Sequence, residues 1–138
     1  MPNKILLGKA ESILRCINRI HEEAPDHQFP IDFSSQDALV LNLLRACEQS
    51  IDAALHIIRI KSFDLPKTNR ESFDKLAEHD VISDELALKL KNMTGFRNIA
   101  VDQYQKISSE VMTAILQEHL VDLTDFADVL RKLSFEVE

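Results

Sequence analysis

The scarcity of glycine and proline constrains the fold of this chain more than any other feature of its sequence. Only 2 glycines and 4 prolines occur among its 138 residues. A sheet of many strands needs a turn after each strand, and turns draw heavily on these two residue types. Long helices joined by few loops need far fewer of them. The sequence therefore predicts an all-α fold.

Apolar residues at three- and four-residue spacings predict the first two helices. The first runs from Asn3 to Glu23 and ends before Pro25, because proline removes a hydrogen-bond donor and restricts the residue before it. The second begins at a capping Ser34 or Ser35 and continues to Lys61. It is apolar around much of its circumference, which predicts a central helix with several neighbours and a part in a subunit interface.

The rest of the chain predicts a short helix and two further long ones. The short helix covers Asn69–Glu78, and the next begins at Ser83 and leads into the segment Gly95–Asn98. The last helix runs from Ser109 to Leu133 and leaves Ser134–Glu138 as a short tail. We therefore expect one domain over residues 1–138, an antiparallel bundle of four long helices and one short helix.

Composition excludes several classes of protein. With 16 Lys and Arg against 23 Asp and Glu, the net charge is −7, which argues against nonspecific coating of DNA but leaves room for a local basic site. No apolar run approaches the ~20 residues of a membrane span, and no signal peptide is visible, so we expect a cytoplasmic protein without membrane contact. Cys16 and Cys47 lie within helical patterns, as small apolar residues rather than as a disulfide or zinc ligands.

A polar stripe follows the second helix at spacings of three and four residues. Three interpretations remain open. The stripe is a solvent-facing strip of paired charges, or a polar network facing a cleft in which Glu48 and Asp52 hold basic groups from another helix. The third interpretation, a carboxylate–histidine metal site, lacks the second Glu-x-x-His copy that bundle sites use. The stripe consists of Arg45, Glu48 (or Gln49), Asp52, His56 and Arg59.

The segment from Gly95 to Tyr104 contains one of the two glycines, the only tyrosine, and Arg97 among apolar neighbours. A half-buried guanidinium needs an anion, because arginine does not lose its charge in proteins. That anion is a carboxylate, Glu48 or Asp52, or it is the phosphate of a substrate. The residues alone leave both alternatives open.

The segment Met93–Tyr104 resembles the signature of the HepT-type HEPN toxins, in which an arginine, usually followed by asparagine, precedes a histidine and a tyrosine. The resemblance extends through Leu43–Asp52 with His56, and through Leu65-Pro66 and Ser72-Phe73, over nearly the whole chain. It implies a HEPN-like helical-bundle homodimer with a metal-independent ribonuclease site in a cleft at the two-fold interface. No cofactor is implied.

The resemblance also implies roles and partners. Arg97 would stabilise charge on the phosphorane, with Asn98 beside it, and Glu48, Asp52 and His56 would form a supporting polar network. The substrate would be RNA, with tRNA among the candidates. A minimal nucleotidyltransferase antitoxin of the MntA type would neutralise the toxin by adding AMP to Tyr104.

The chain departs from the family pattern at Asp102, where the family has histidine. Histidine titrates near neutrality, whereas an aspartate with an ordinary pKa of about 3.9 is ionised at pH 7 and rarely offers a proton. We therefore predict weak or absent cleavage by this chain. Asp102 is either a deliberate change that makes a toxic protein expressible, or a natural substitution that abolished cleavage or operates with a raised pKa.

Residues five apart on a helix point about 140° from each other. Arg97 and Asp102 therefore share a pocket only if the helix is distorted near Gly95, or if two subunits contribute. Two other functions compete with the ribonuclease. One is a non-catalytic helical binding subunit of a minimal nucleotidyltransferase, for which Asp102 would be no obstacle. The other is a structural bundle in which Arg97 only pairs with Glu48 or Asp52.

Overall fold

The computed structural model describes residues 2–103 and 106–137, without the side chain of Asp102. Within these ranges it contains helices and no strand, which confirms the predicted all-α fold. None of the described helices is long and apolar enough to cross a membrane. The helices are α1 (Lys4–Glu23), α2 (Phe33–Ile60), α3 (Asn69–Glu78), α4 (Asp84–Gln103), α5 (Ser109–Ala114), a π-helical segment (Ile115–His119) and α6 (Leu120–Glu136).

The start of α2 differs from the prediction. The capping residue is Asp32 rather than Ser34 or Ser35, and its carboxylate accepts a hydrogen bond from the Ser35 N–H at 2.9 Å. This hydrogen bond holds the pKa of Asp32 below its usual value. A carboxylate interacts with the positive end of the helix dipole, which a serine hydroxyl does not do as strongly. The aspartate therefore starts the helix two or three residues earlier than the serines would.

The final helix is longer than predicted, and it is interrupted. The segment Ile115–His119 forms a π-helical turn, which the apolar spacing did not indicate. Helix α6 continues to Glu136, so that Ser134 is part of the helix and is buried. The Ser134 carbonyl accepts a hydrogen bond from the Asn3 N–H at 2.6 Å. The prediction that the tail begins at Ser134 is therefore wrong. The helix continues past this residue, and the hydrogen bond holds the end of α6 against the residue that precedes α1.

Helix α2 occupies the centre of the bundle, as predicted, and contacts α1, α3, α4 and α6. The core beside it contains two fully buried phenylalanines from different helices. The ring of Phe73 meets that of Phe126 edge to face, with 5.8 Å between the ring centroids. Such a pair adds to the stabilisation from apolar burial. The two free cysteines are buried among these apolar residues.

We expect the substitution Phe126→Ala to lower the free energy of unfolding by about 3–5 kcal/mol, because it removes a fully buried aromatic ring and leaves a cavity. Urea denaturation followed by circular dichroism measures the change. The matched control is Phe135→Ala in the same helix, since Phe135 is mainly exposed. Equal losses from the two substitutions would contradict this assignment of the core.

Candidate functional site

Arg97 projects from α4 toward α2 and contacts Glu48. One guanidinium nitrogen, Nη2, lies 3.2 Å from Glu48 Oε1, and Nη1 donates to Asn98 Oδ1 at 3.1 Å. Of the two carboxylates considered, Glu48 is therefore the one that Arg97 meets. The Arg97 side chain remains 28% exposed and that of Glu48 48% exposed. The guanidinium is thus paired but still accessible to a ligand in solution.

The Arg97 guanidinium also has an N–H without an acceptor. Its Nε atom is buried and, among the described residues, has no hydrogen-bond partner. A buried donor without an acceptor costs about 1–3 kcal/mol. Arginine carries five N–H donors in a planar fork that suits carboxylate and phosphate alike. The contact with Glu48 therefore does not exhaust the binding capacity of Arg97.

A contact between α2 and α4 lies next to Arg97. The Cys47 thiol donates to the carbonyl of Met93 at 3.9 Å, one turn before Arg97 on α4. Burial raises the pKa of Cys47 to about 12, against the lowering effect of the Arg97 charge, so the thiol stays protonated at neutral pH and can donate. This contact sets α4 against α2 at the level where Arg97 reaches Glu48.

Helix α4 runs as one α-helix through Gly95 to Gln103. Of the two alternatives given for a pocket shared by Arg97 and Asp102, a helix distorted near Gly95 is therefore not observed, and Gly95 does not have a positive φ angle. On a regular helix, positions 97 and 102 point about 140° apart. The side chain of Asp102 and all of Tyr104 lie outside the described residues. Within one chain, α4 thus directs its two motif positions to different sides.

The polar stripe on α2 divides between two neighbouring helices. Glu48 meets Arg97 of α4, whereas Asp52 lies 3.7 Å from Lys9 Nζ of α1. Both carboxylates therefore pair with a basic group from another helix while remaining about half exposed. Lys9 was missed by the sequence reasoning, because its partner depends on how α1 and α2 are aligned.

His56 joins neither ion pair. Its Nε2 atom is buried and has no hydrogen-bond partner in the described part of the chain. Burial, then the charges of Arg59 and Lys9, lower the pKa of His56 below its ordinary value. The imidazole is therefore neutral at pH 7. In this environment it is a poor cationic partner for a phosphate.

A second polar cluster lies away from Arg97 and was also missed. The Asp122 carboxylate of α6 is 2% exposed, 3.3 Å from His119 Nδ1 and 3.9 Å from Lys89 Nζ of α4. The charge of Asp122 contributes to a raised pKa of Lys89, after the larger effect of Glu85. Its position four residues before the buried Phe126 was the available signal, because that spacing turns it toward the core. This cluster joins α6 to α4.

Solved structures of toxins share this arrangement of helices. The tri-AMPylated HEPN toxin of Shewanella oneidensis, in complex with an MNT antitoxin, matches with a TM-score of 0.88 and 41% identity over 94% of this chain and 98% of that chain. A toxin–antitoxin crystal structure with AMP-PNP also matches with a TM-score of 0.88, at 40% identity over 94% of this chain and 99% of that chain. The fold is that of the helical HEPN toxins.

The amino-acid sequence is also similar to that of a nuclease. The mRNA nuclease HepT of Shewanella oneidensis is 42% identical over 130 residues, which are 94% of this chain and 98% of that protein. The family model described as Ribonuclease HepT-like matches residues 10–130. The chain belongs to this HepT-like ribonuclease family, as the resemblance of its Arg97 segment indicated.

Proposed function

We propose that this chain is the toxin of a HepT/MntA-type toxin–antitoxin system, an RNA-cleaving scaffold whose own activity is weakened or abolished by Asp102. The observation that carries the proposal is the accessible Arg97 guanidinium, held by Glu48 on a chain 42% identical to an mRNA nuclease. RNA is the proposed substrate, and a minimal nucleotidyltransferase is the proposed partner.

The proposed reaction is metal-independent. The 2′-hydroxyl of the RNA attacks the adjacent phosphorus, the bond to the 5′-oxygen breaks, and charge accumulates on the phosphorane oxygens. Arg97 stabilises that charge, with its guanidinium oriented by Glu48 and Asn98 before the substrate arrives. The leaving oxygen needs a proton, which an ionised Asp102 does not supply. General acid–base catalysis contributes about 10²–10⁴-fold, so we expect a loss of that order.

The direction of the two motif positions supports a homodimer. Leu88 and Ile99 lie on one face of α4 and are 55% and 57% exposed. Gly95 lies between them on that face, and position 102 continues it one turn beyond Ile99. We propose that a second copy packs on this face, which brings position 102 to the two-fold interface.

A substitution at Gly95 tests the proposed dimer. A glycine inside a helix costs about 1 kcal/mol relative to alanine, yet a Cβ atom placed on Gly95 would meet nothing within 4 Å in its own chain. A close approach of the second copy would explain the glycine. We expect Gly95→Leu to convert a dimer into a folded monomer, as measured by light scattering after size exclusion. Gly8→Leu is the control, because Gly8 is also helical and equally open.

The ribonuclease proposal is tested by restoring the family residue. We expect Asp102→His to cleave cellular RNA in the presence of EDTA, about 10²–10⁴-fold faster than the chain with Asp102. Adding Arg97→Gln to that variant should remove the gain, because the phosphorane loses its cation. Gel analysis of total RNA and tRNA measures the rates.

The alternative is a binding subunit of a nucleotidyltransferase that does not cut RNA. The existing Arg97–Glu48 ion pair favours it, since an arginine satisfied by a carboxylate can be structural. No cleavage by folded Asp102→His would contradict the ribonuclease proposal and support this second function.

We propose that the partner modifies Tyr104. Co-expression with an active nucleotidyltransferase should increase the intact mass by one or more AMP units, and Tyr104→Phe should abolish the increase. AMP adds negative charge and a bulky nucleoside close to Arg97 in the sequence, so it would compete with RNA for the guanidinium. An unchanged mass with an active partner would refute the modification of this chain.

A further inference from the structure

Three exposed arginines on α1 and α2 meet no carboxylate among the described side chains. Arg15 and Arg19 lie one turn apart on α1, and Arg45 lies on α2. Across residues 2–103 and 106–137, leaving aside the side chain of Asp102, no ion pair within 4.0 Å involves any of them. Exposed guanidinium groups that remain unpaired are available to an external anion.

The alignment of α1 and α2 brings the three together. A short loop joins the two helices, which therefore run antiparallel. The ion pair between Lys9 and Asp52 sets their alignment, and seven residues further along α1 bring Cys16 opposite Arg45. Cys16 lies between Arg15 and Arg19 in the chain. Arg45 is therefore level with both α1 arginines.

The Cys16 thiol lies close enough to these three arginines for the charge of each to act on it. Burial, the largest effect, raises the pKa of Cys16, while the charges of Arg45, Arg19 and Arg15 each act to lower it. Charges act strongly only over distances of about 10 Å at physiological ionic strength. Three positive charges therefore lie near the Cys16 thiol, which is buried between α1 and its neighbours.

This group is continuous with the candidate site. Arg45 precedes Glu48 by three residues, so the two lie one turn apart on the same side of α2. Glu48 in turn holds Arg97. Acidic residues border the group: Glu11 lies one turn before Arg15, and Glu23 one turn after Arg19. Arg97, Arg45 and the two α1 arginines thus lie on three successive neighbouring helices, with Glu48 between Arg97 and Arg45.

We propose that Arg15, Arg19 and Arg45 bind the phosphates of single-stranded RNA and hold the strand that extends from Arg97. This inference rests on the ribonuclease function proposed above and adds a substrate-binding surface to it. All three residues are arginine, whose planar fork binds phosphate oxygens bidentately. Contacts to phosphates position a strand without reading its sequence. A local surface of this kind reconciles an RNA substrate with a net charge of −7.

The test uses the chain with Asp102, because this chain should not cleave the RNA probe during the measurement. It compares two triple variants that each remove three positive charges. The first is R15Q/R19Q/R45Q. The control, R70Q/R131Q/K132Q, removes three exposed positive charges from α3 and α6. Fluorescence anisotropy of a fluorescein-labelled single-stranded oligoribonucleotide gives the affinity across a salt series. Circular dichroism and thermal melting verify that both variants fold.

Three phosphate contacts contribute about 2 to the slope of log affinity against log salt, since each contributes about 0.7 on a single strand. Between 50 and 200 mM salt, the affinity of the unsubstituted chain should therefore fall about 20-fold more than that of R15Q/R19Q/R45Q. The control should retain the original slope. In the Asp102→His background, the first variant should raise KM and leave kcat unchanged.

Other outcomes would overturn the inference. Equal slopes for the two triple variants would do so, and cleavage by Asp102→His would then show that the ribonuclease proposal stands without it. Unchanged RNA affinity together with lost binding of the nucleotidyltransferase would assign the surface to that protein instead. If the unsubstituted chain does not bind the probe and Asp102→His does not cleave RNA, both proposals fail.

Discussion

The burial of α2 between its neighbours is the constraint on which the rest of the structure depends. Helix α2 packs against α1, α3, α4 and α6, and its apolar residues are used on these sides. Five of its polar residues, Arg45, Glu48, Asp52, His56 and Arg59, lie along one strip of its surface. That strip borders α1 on one side and α4 on the other, because these helices supply Lys9 and Arg97 to its carboxylates. Packing of the central helix therefore places the candidate site.

The ion pair of Arg97 with Glu48 contributes little to the stability of the bundle. Exposed pairs of this kind are worth about 0–1 kcal/mol, whereas one buried phenylalanine is worth several times as much. The pair instead orients the guanidinium while leaving it accessible. A phosphate could replace Glu48 at small energetic cost. An ion pair that adds little stability but fixes the orientation of the guanidinium suits an arginine that binds a ligand better than an arginine with a structural role.

Helix α4 has two functional faces, one turned toward α2 and one turned outward. Arg97 points toward α2 of its own chain, whereas Leu88, Gly95 and Ile99 form an outer face. The sequence motif combines residues from both surfaces. A regular helix keeps positions 97 and 102 about 140° apart within one chain. The arginines that we propose to hold RNA lie on α2, which carries Glu48, and on its neighbour α1.

The pattern of residues along the chain was enough to locate the helices, because apolar spacing and capping residues act over a few neighbouring positions. It predicted α3 to the residue, the central position of α2, and the HepT-like family to which the chain belongs. It missed the cap at Asp32 and the π-helical turn at Ile115–His119, since the apolar pattern tolerates one extra residue in a turn. These errors concern local geometry that the pattern does not encode.

The ion pairs between helices depend on how the helices pack against each other, and the sequence pattern does not show this. The sequence offered Glu48 and Asp52 as equivalent partners of Arg97, and the alignment of α4 against α2 chose Glu48 and left Asp52 to Lys9. The grouping of Arg45 with Arg15 and Arg19 depends likewise on the antiparallel alignment of α1 and α2. Contacts between helices far apart in the chain depend on the packing of the whole core, and the pattern along a single helix does not specify them.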